Sequence, residues 1–126
     1  MAHVPISLRV NDMEFEGVID SSRSPRTAEA FLESLPIVAH PVSWGGEIYF
    51  GVGFHEDDEH ATSAISIGDI AFWPPGDVVC IFFGPTPAST GAEPVPASPV
   101  NIIGVVNGAE RIASAGSVGT ITIEKR

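Results

Sequence analysis

Between Trp44 and Gly104 the chain changes character every few residues. It runs Trp44-Gly45-Gly46-Glu47-Ile48-Tyr49-Phe50, then Phe72-Trp73-Pro74-Pro75-Gly76, then Cys80-Ile81-Phe82-Phe83-Gly84-Pro85-Thr86-Pro87, then Pro99-Val100-Asn101-Ile102-Ile103-Gly104. Runs this short, cut repeatedly by proline and glycine, cannot continue as helices. Proline has no amide to donate, and glycine gives up the most backbone freedom on ordering. Short β-branched and aromatic runs between such breakers read as strands joined by tight turns. Aromatic walls, tight corners and a few isolated polar side chains suit the mouth of a small β-barrel.

The rest of the chain follows the same pattern with one exception. Residues 6–10 and 13–19 alternate around the turn signal Asn11-Asp12, which predicts a hairpin. Residues 27–35 carry Ala28, Phe31, Leu32 and Leu35 at helical spacing. Ser24, Pro25 and Thr27 supply N-cap chemistry for that helix, and Pro36 stops it. Residues 38–42, 47–52 and 70–73 read as strands, and 78–83 is apolar enough for a strand buried on both faces. Residues 86–97, rich in Pro, Ala, Ser, Thr and Gly, read as a long mobile loop. Residues 100–106 form a further strand, 108–114 a short helical turn, and 120–123 a closing strand. The expectation is an all-β domain spanning residues 1–126, a closed barrel of about eight strands with one or two short helices. At 126 residues the chain can bury enough surface to fold without a metal or disulfide.

Charge narrows the partners. The formal net charge is −10, and the six Lys and Arg residues are scattered. Phosphate-tracking proteins need clustered cations, so neither nucleic acid nor an anionic membrane is an expected partner. No apolar run approaches the ~20 residues that span a bilayer. The N-terminus, Met1-Ala2-His3-Val4-Pro5, lacks the basic and long apolar regions of a signal peptide. A cytoplasmic protein is expected, and a homo-oligomer is compatible with the chain. Cys80, the single cysteine, cannot pair within the chain and reads as a small apolar residue, because no histidine lies near it in sequence to activate it.

Several of these motifs resemble the cyclophilins. Pro25-Arg26-Thr27-Ala28-Glu29-Ala30-Phe31 is similar to the Pro-x-Thr-Ala-x-x-Phe that heads the first cyclophilin helix. Val100-Asn101-Ile102-Ile103-Gly104-Val105-Val106-Asn107-Gly108, followed by Thr120-Ile121-Thr122-Ile123, resembles the family's late strand, helical turn and final strand. The Trp-Gly-x-Glu-Ile-Tyr-Phe, Trp-Pro-Pro-Gly and Phe-Phe-Gly-x-Thr-Pro motifs resemble the compact bacterial and archaeal branch of cyclophilin-like proteins. The resemblance implies a closed eight-stranded barrel with a groove for proline-containing peptides on its outer face. In that groove an arginine assists rotation about a peptide bond whose barrier is ~18–20 kcal/mol. Here the corresponding strand, Glu47-Ile48-Tyr49-Phe50, has no cation, the chain has no glutamine, and the family's site histidine falls near Val100. The resemblance therefore implies the scaffold without the usual isomerase chemistry.

Glu47 and Tyr49 are the candidate catalytic pair. Two positions apart on a strand they share a face, and a carboxylate beside a phenol can move a proton or orient a polar ligand. Both residue types are also ordinary on a solvated face. Trp73, Pro74 and Phe83 are candidate groove walls, with Phe82 turned into the core; a register slip of one residue would exchange Phe82 and Phe83. Thr86 and Asn101 either hold a ligand or satisfy backbone groups at a turn or barrel end. The run His55-Glu56-Asp57-Asp58-Glu59-His60 contains metal-ligand types, but its spacing matches no rigid site and reads as a solvated loop. No metal or cofactor is expected. Three readings stay open: a module binding a small apolar molecule or proline-containing peptide, a small cyclase- or isomerase-type enzyme using Glu47 and Tyr49, and a weak peptidyl-prolyl isomerase.

Overall fold

The N-terminal alternation becomes a hairpin. β1 (His3–Val10) and β2 (Met13–Asp20) pair antiparallel, with Val10 opposite Met13. Ile6, Leu8 and Val10 on β1, and Phe15 and Ile19 on β2, turn to the interior. The computed structural model describes residues 3–126. Met1 and Ala2, part of the N-terminus read above for a leader, lie outside the described residues.

The one α-helix, α1 (Pro25–Glu33), begins with proline at its first turn, where a missing amide costs nothing. It buries Ala28 and Phe31 against the sheet. A buried phenylalanine of this kind contributes about 1.5–3 kcal/mol. Ser24 occupies the N-cap position without making a side-chain cap. Its hydroxyl donates instead to the Glu59 carbonyl at 2.8 Å, and the free amides of α1 are closed by the Glu59 carboxylate, which accepts from Arg26 N at 2.9 Å and Thr27 N at 2.9 Å.

Seven further strands follow: β3 (Ile37–Ala39), β4 (Val42–Trp44), β5 (Glu47–Gly51), β6 (Asp69–Trp73), β7 (Val78–Phe82), β8 (Asn101–Val106) and β9 (Ile121–Lys125). All nine form one sheet in the order β3-β9-β1-β2-β8-β6-β7-β5-β4. The sheet is strongly curled, and every strand except β4 contributes to one cluster that includes Ile6, Ile48, Ile70, Phe72, Ile81, Ile103, Ile121 and Ile123. This corrects the expectation of a closed eight-stranded barrel: the ladder has nine strands and ends at β3 and β4, which pair with β9 and β5 rather than with each other. The reason lies at His40-Pro41. The single strand expected over residues 38–42 splits there because proline cannot donate to a ladder. Its two halves serve opposite edges of the sheet, and the result is a half-barrel.

Two 3-10 turns complete the architecture. Pro74–Gly76 links β6 to β7, and Ala109–Ala115 precedes β9. Among the described residues, no helix is long and apolar enough to cross a membrane.

Candidate functional site

Four strands, β5, β7, β6 and β8, are covered on both faces. One face joins the main core. The other carries a smaller cluster of Ile65, Ala71, Cys80, Phe82, Val100 and Ile102, with Tyr49, Trp73 and Val78 packed on it. Strand register assigns these residues. Glu47 pairs with Phe82 and Tyr49 with Cys80 across β5 and β7, so all four share the face opposite the core. Ala71 pairs with Cys80, and Trp73 with Val78, which extends that face onto β6.

A cavity of about 270 Å³ opens on this surface. Trp44, Glu47 and Tyr49 line it from β4 and β5, Val78 and Cys80 from β7, and Trp73 from β6. Val100, with Pro96 and Ala97 of the loop between β7 and β8, completes the lining.

Local backbone packing holds these walls. The β4–β5 hairpin turns at Gly45-Gly46, with Trp44 opposite Glu47. Gly46 accepts from Phe83 N at 2.7 Å and donates to Pro85 O at 2.7 Å. A Cβ on Gly46 would lie 2.2 Å from the Gly84 carbonyl carbon, so only glycine allows this approach. Gly76 does the same for Trp73: a Cβ there would meet the indole ring at 2.8 Å. The indole N–H of Trp73 donates to Ser98 Oγ at 2.7 Å, which ties the far end of the loop to the cavity wall.

Glu47 is the unusual member. It is only 6% exposed and sits among apolar and aromatic groups. Burial pushes its carboxyl above the usual carboxylate range, and a hydrogen bond from the Cys80 thiol offsets part of that rise. Burial also pushes the Cys80 thiol well up, and the neighbouring Glu47 charge adds to the effect. The thiol therefore stays protonated and serves as a donor, not as a nucleophile.

Of the residues singled out in the sequence, Glu47, Tyr49 and Trp73 meet in this cavity; the others lie elsewhere. Phe83 packs against the main core, and Phe82 takes the outer face, because the Glu47–Phe82 pairing puts Phe82 on the Glu47 side. Pro74 is buried in the β6–β7 turn and does not line the cavity. Asn101 is fully buried: its Oδ1 accepts from Glu59 N at 2.9 Å, and its Nδ2 donates to Thr27 Oγ1 at 3.1 Å and Asp57 O at 3.0 Å. Thr86 braces its own loop, donating from Oγ1 to Val95 O at 2.5 Å and accepting at Oγ1 from Ala88 N at 3.2 Å. Residues 86–97, expected as a mobile loop, are thus cross-linked internally, with Ser89 Oγ also donating to Glu93 O at 2.7 Å. For Asn101 and Thr86 the structural alternative holds, since their hydrogen-bonding atoms are taken up within the fold.

The acidic run is likewise absorbed. His55 bridges Asp77 at 2.5 Å and Asp57 at 3.1 Å, and Glu59 caps α1. Among the described residues no three His, Cys, Asp or Glu side chains gather as a metal site. The sequence reading missed Trp44, Val78, Cys80, Pro96, Ala97 and Val100 as lining residues. Only Trp44 carried a local signal, since it flanks the Gly45-Gly46 turn directly opposite Glu47.

A curled antiparallel sheet packed by one short helix, with a cavity on its outer face, shares the all-β architecture of the cyclophilin resemblance but not the closed eight-stranded barrel that it implied. A family model described as Cyclophilin-like matches residues 4–124. The chain belongs to the cyclophilin-like family. Among solved structures, this cyclophilin-like protein is similar to the hypothetical protein AF2241 from Archaeoglobus fulgidus, at 30% identity and a TM-score of 0.82, over 98% of this chain and 95% of that one. It also shares its fold with McbB, solved in complex with tryptophan, at 13% identity and a TM-score of 0.73. That match covers 96% of this chain and 44% of McbB, so the cyclophilin-like chain spans less than half of it. No curated protein matches it at a significant level.

Proposed function

We propose that this cyclophilin-like protein is a binding module whose outer-face cavity takes a small, largely apolar ligand. The observation that carries this reading is the concave site between Trp44, Tyr49 and Trp73, with one desolvated carboxylate, Glu47, at its side. Small-molecule sites combine apolar walls with a few polar groups that orient the guest, and a cavity of this size fits a compact ligand. McbB, which shares this fold, was solved in complex with tryptophan, a small aromatic molecule. A proline-containing peptide would engage the same walls with a single side chain. Isomerase chemistry of the cyclophilin type is not proposed, because no arginine is among the lining residues.

The experiment uses the two tryptophans as reporters, since both line the cavity. Titration with phenethyl alcohol, and separately with a short proline-containing peptide, is followed by indole emission. The Ala97→Phe variant fills the cavity from an exposed loop position and should abolish the change. Saturable binding that survives Ala97→Phe unaltered would refute the reading.

A second reading has its own support. Burial raises the Glu47 pKa, and an acid–base group works best when its pKa lies near the working pH. In that reading Glu47 moves a proton and Tyr49 orients the substrate. Glu47→Gln would then abolish turnover while leaving neutral ligands bound; equal loss of both would count against an acid–base role.

A further inference from the structure

We infer that the ligand of this cavity carries a protonated amine, held between the Glu47 carboxylate and the faces of Trp44, Tyr49 and Trp73. The inference rests on the binding reading above and adds the chemical class of the guest. Three features point to a cation, and a fourth to the apolar body that carries it.

Glu47 is buried without a positive partner. On its own strand its titratable neighbour along the face is Tyr49, and from β7 it meets the Cys80 thiol. β4 offers Trp44, β6 offers Trp73, and the loop offers Pro96 and Ala97. Among the described residues no Lys, Arg or His lines the cavity. A buried carboxylate facing no cation is costly unless it is protonated or paired by a guest. The burial-driven rise in its pKa has the same origin.

The walls also suit a cation. Two indoles and a phenol line the cavity, and a cation seated over the face of such a ring within about 6 Å is attracted by the ring quadrupole. The single ion-accepting side chain and the aromatic walls therefore favour the same charge at the same place.

The field of the whole molecule acts in the same direction. With a formal net charge of −10 the protein attracts cations and repels anions before contact. An anionic guest would meet Glu47 at close range in a desolvated site. A neutral guest would leave the carboxylate unpaired or force it to take a proton.

Finally, the cavity supplies an apolar lining for the rest of the guest. Val78, Cys80 and Val100 line it together with the aromatic residues, so an amine joined to a compact hydrocarbon or aryl body satisfies both parts. No bond need be made or broken for this recognition.

The test compares three guests of similar size: phenethylamine, phenethyl alcohol and hydrocinnamate. Binding is read by indole emission and by calorimetry at low salt. The expected order is amine, then alcohol, then acid, with the amine bound roughly tenfold or more tightly than the alcohol, as a charge-assisted contact requires. The amine preference should fade as pH falls through the Glu47 pKa, since protonation removes the carboxylate. Glu47→Gln should abolish the preference, so that amine and alcohol bind alike. The pH titration uses the unaltered protein and so does not depend on the variant folding. Equal binding of amine and alcohol, or a preference that persists in folded Glu47→Gln, overturns the ammonium assignment and leaves the binding module standing. No binding of any of the three guests at millimolar concentration overturns both.

Discussion

Glu59 closes the N-terminus of α1 through Thr27, a residue 32 positions earlier: its Oε1 accepts from the Thr27 amide at 2.9 Å and from the Thr27 hydroxyl at 2.8 Å. Oε2 takes the Arg26 amide at 2.9 Å. A carboxylate at a helix start both satisfies orphan amides and favours the macrodipole. Asn101 then clamps the same loop by accepting from Glu59 N. The acidic stretch that resembled a metal loop is in part the cap of α1.

The Glu59–Thr27 contact has a measurable stability consequence. Burial acts to raise the Glu59 pKa, but the Arg26 and Thr27 amides, the Thr27 hydroxyl and the Arg26 charge outweigh it and bring the pKa below the ordinary value. A group whose pKa is lowered on folding stabilises the protein above its unfolded pKa. That stabilisation is lost as pH falls through the folded value. Glu59→Gln should cost about 1–3 kcal/mol at neutral pH in urea unfolding. The cost should shrink in acid, where the native side chain is also neutral. A pH-independent difference would show that the charge does not matter.

Glu47 should behave in the opposite way. Its pKa is raised by burial, so the ionised form weakens the folded state above the folded pKa, and the penalty disappears as pH falls through that value. Glu47→Gln should therefore raise the melting temperature at neutral pH, with the gain narrowing in acid. Such a gain would mark a carboxylate kept at the expense of stability, as binding sites often require. A fall in melting temperature at neutral pH would contradict the desolvation argument.

Backbone proximity at the hairpin predicts a contrast between two glycines. Gly46→Ala would drive a methyl into the Gly84 backbone at 2.2 Å, and the two strands carrying the cavity would have to part. A loss of about 2 kcal/mol or more is expected from overpacking of this kind. A Cβ on Gly51, at the other end of β5, meets nothing within 4 Å, so Gly51→Ala should be near neutral in the same unfolding assay. Equal effects would mean that the Gly46–Gly84 approach is not obligatory.

His55 lies between two carboxylates. The hydrogen bond that His55 donates to Asp77, and then the one it donates to Asp57, raise its pKa above the ordinary value. Asp77 holds a left-handed backbone with φ of 51°, which asparagine tolerates well. Asp77→Asn should therefore keep the turn and lower the His55 pKa in an NMR titration. An unchanged titration would mean that the contact is not maintained in solution. A histidine whose pKa is raised on folding stabilises below its unfolded pKa and loses that contribution as pH rises through the folded one. The variant should thus lose stability on the acid side only.

Much of the architecture was legible because it depends on local rules. Alternation gave the first hairpin, proline and glycine marked the turns, and the spacing of Ala28 and Phe31 marked α1. That Glu47 and Tyr49 share the cavity face was legible because a strand puts residues two apart on one face. The strand split at Pro41 was also written locally, yet the loss of closure was not. Which edge each half joins depends on β5 and β9, far away along the chain.

The amino-acid sequence alone determined where most strands and turns lie, which residues two apart on a strand share a face, and that β5 carries no cation. These follow from backbone sterics and from a side-chain period of two. Only the tertiary structure decided that Phe82 and not Phe83 faces outward, that Cys80 donates to Glu47, and that Glu59 caps a helix it does not adjoin. Each of these is a register or contact between segments remote in sequence. Such pairings come from which strands become neighbours in the curled sheet, and no window of adjacent residues carries that information.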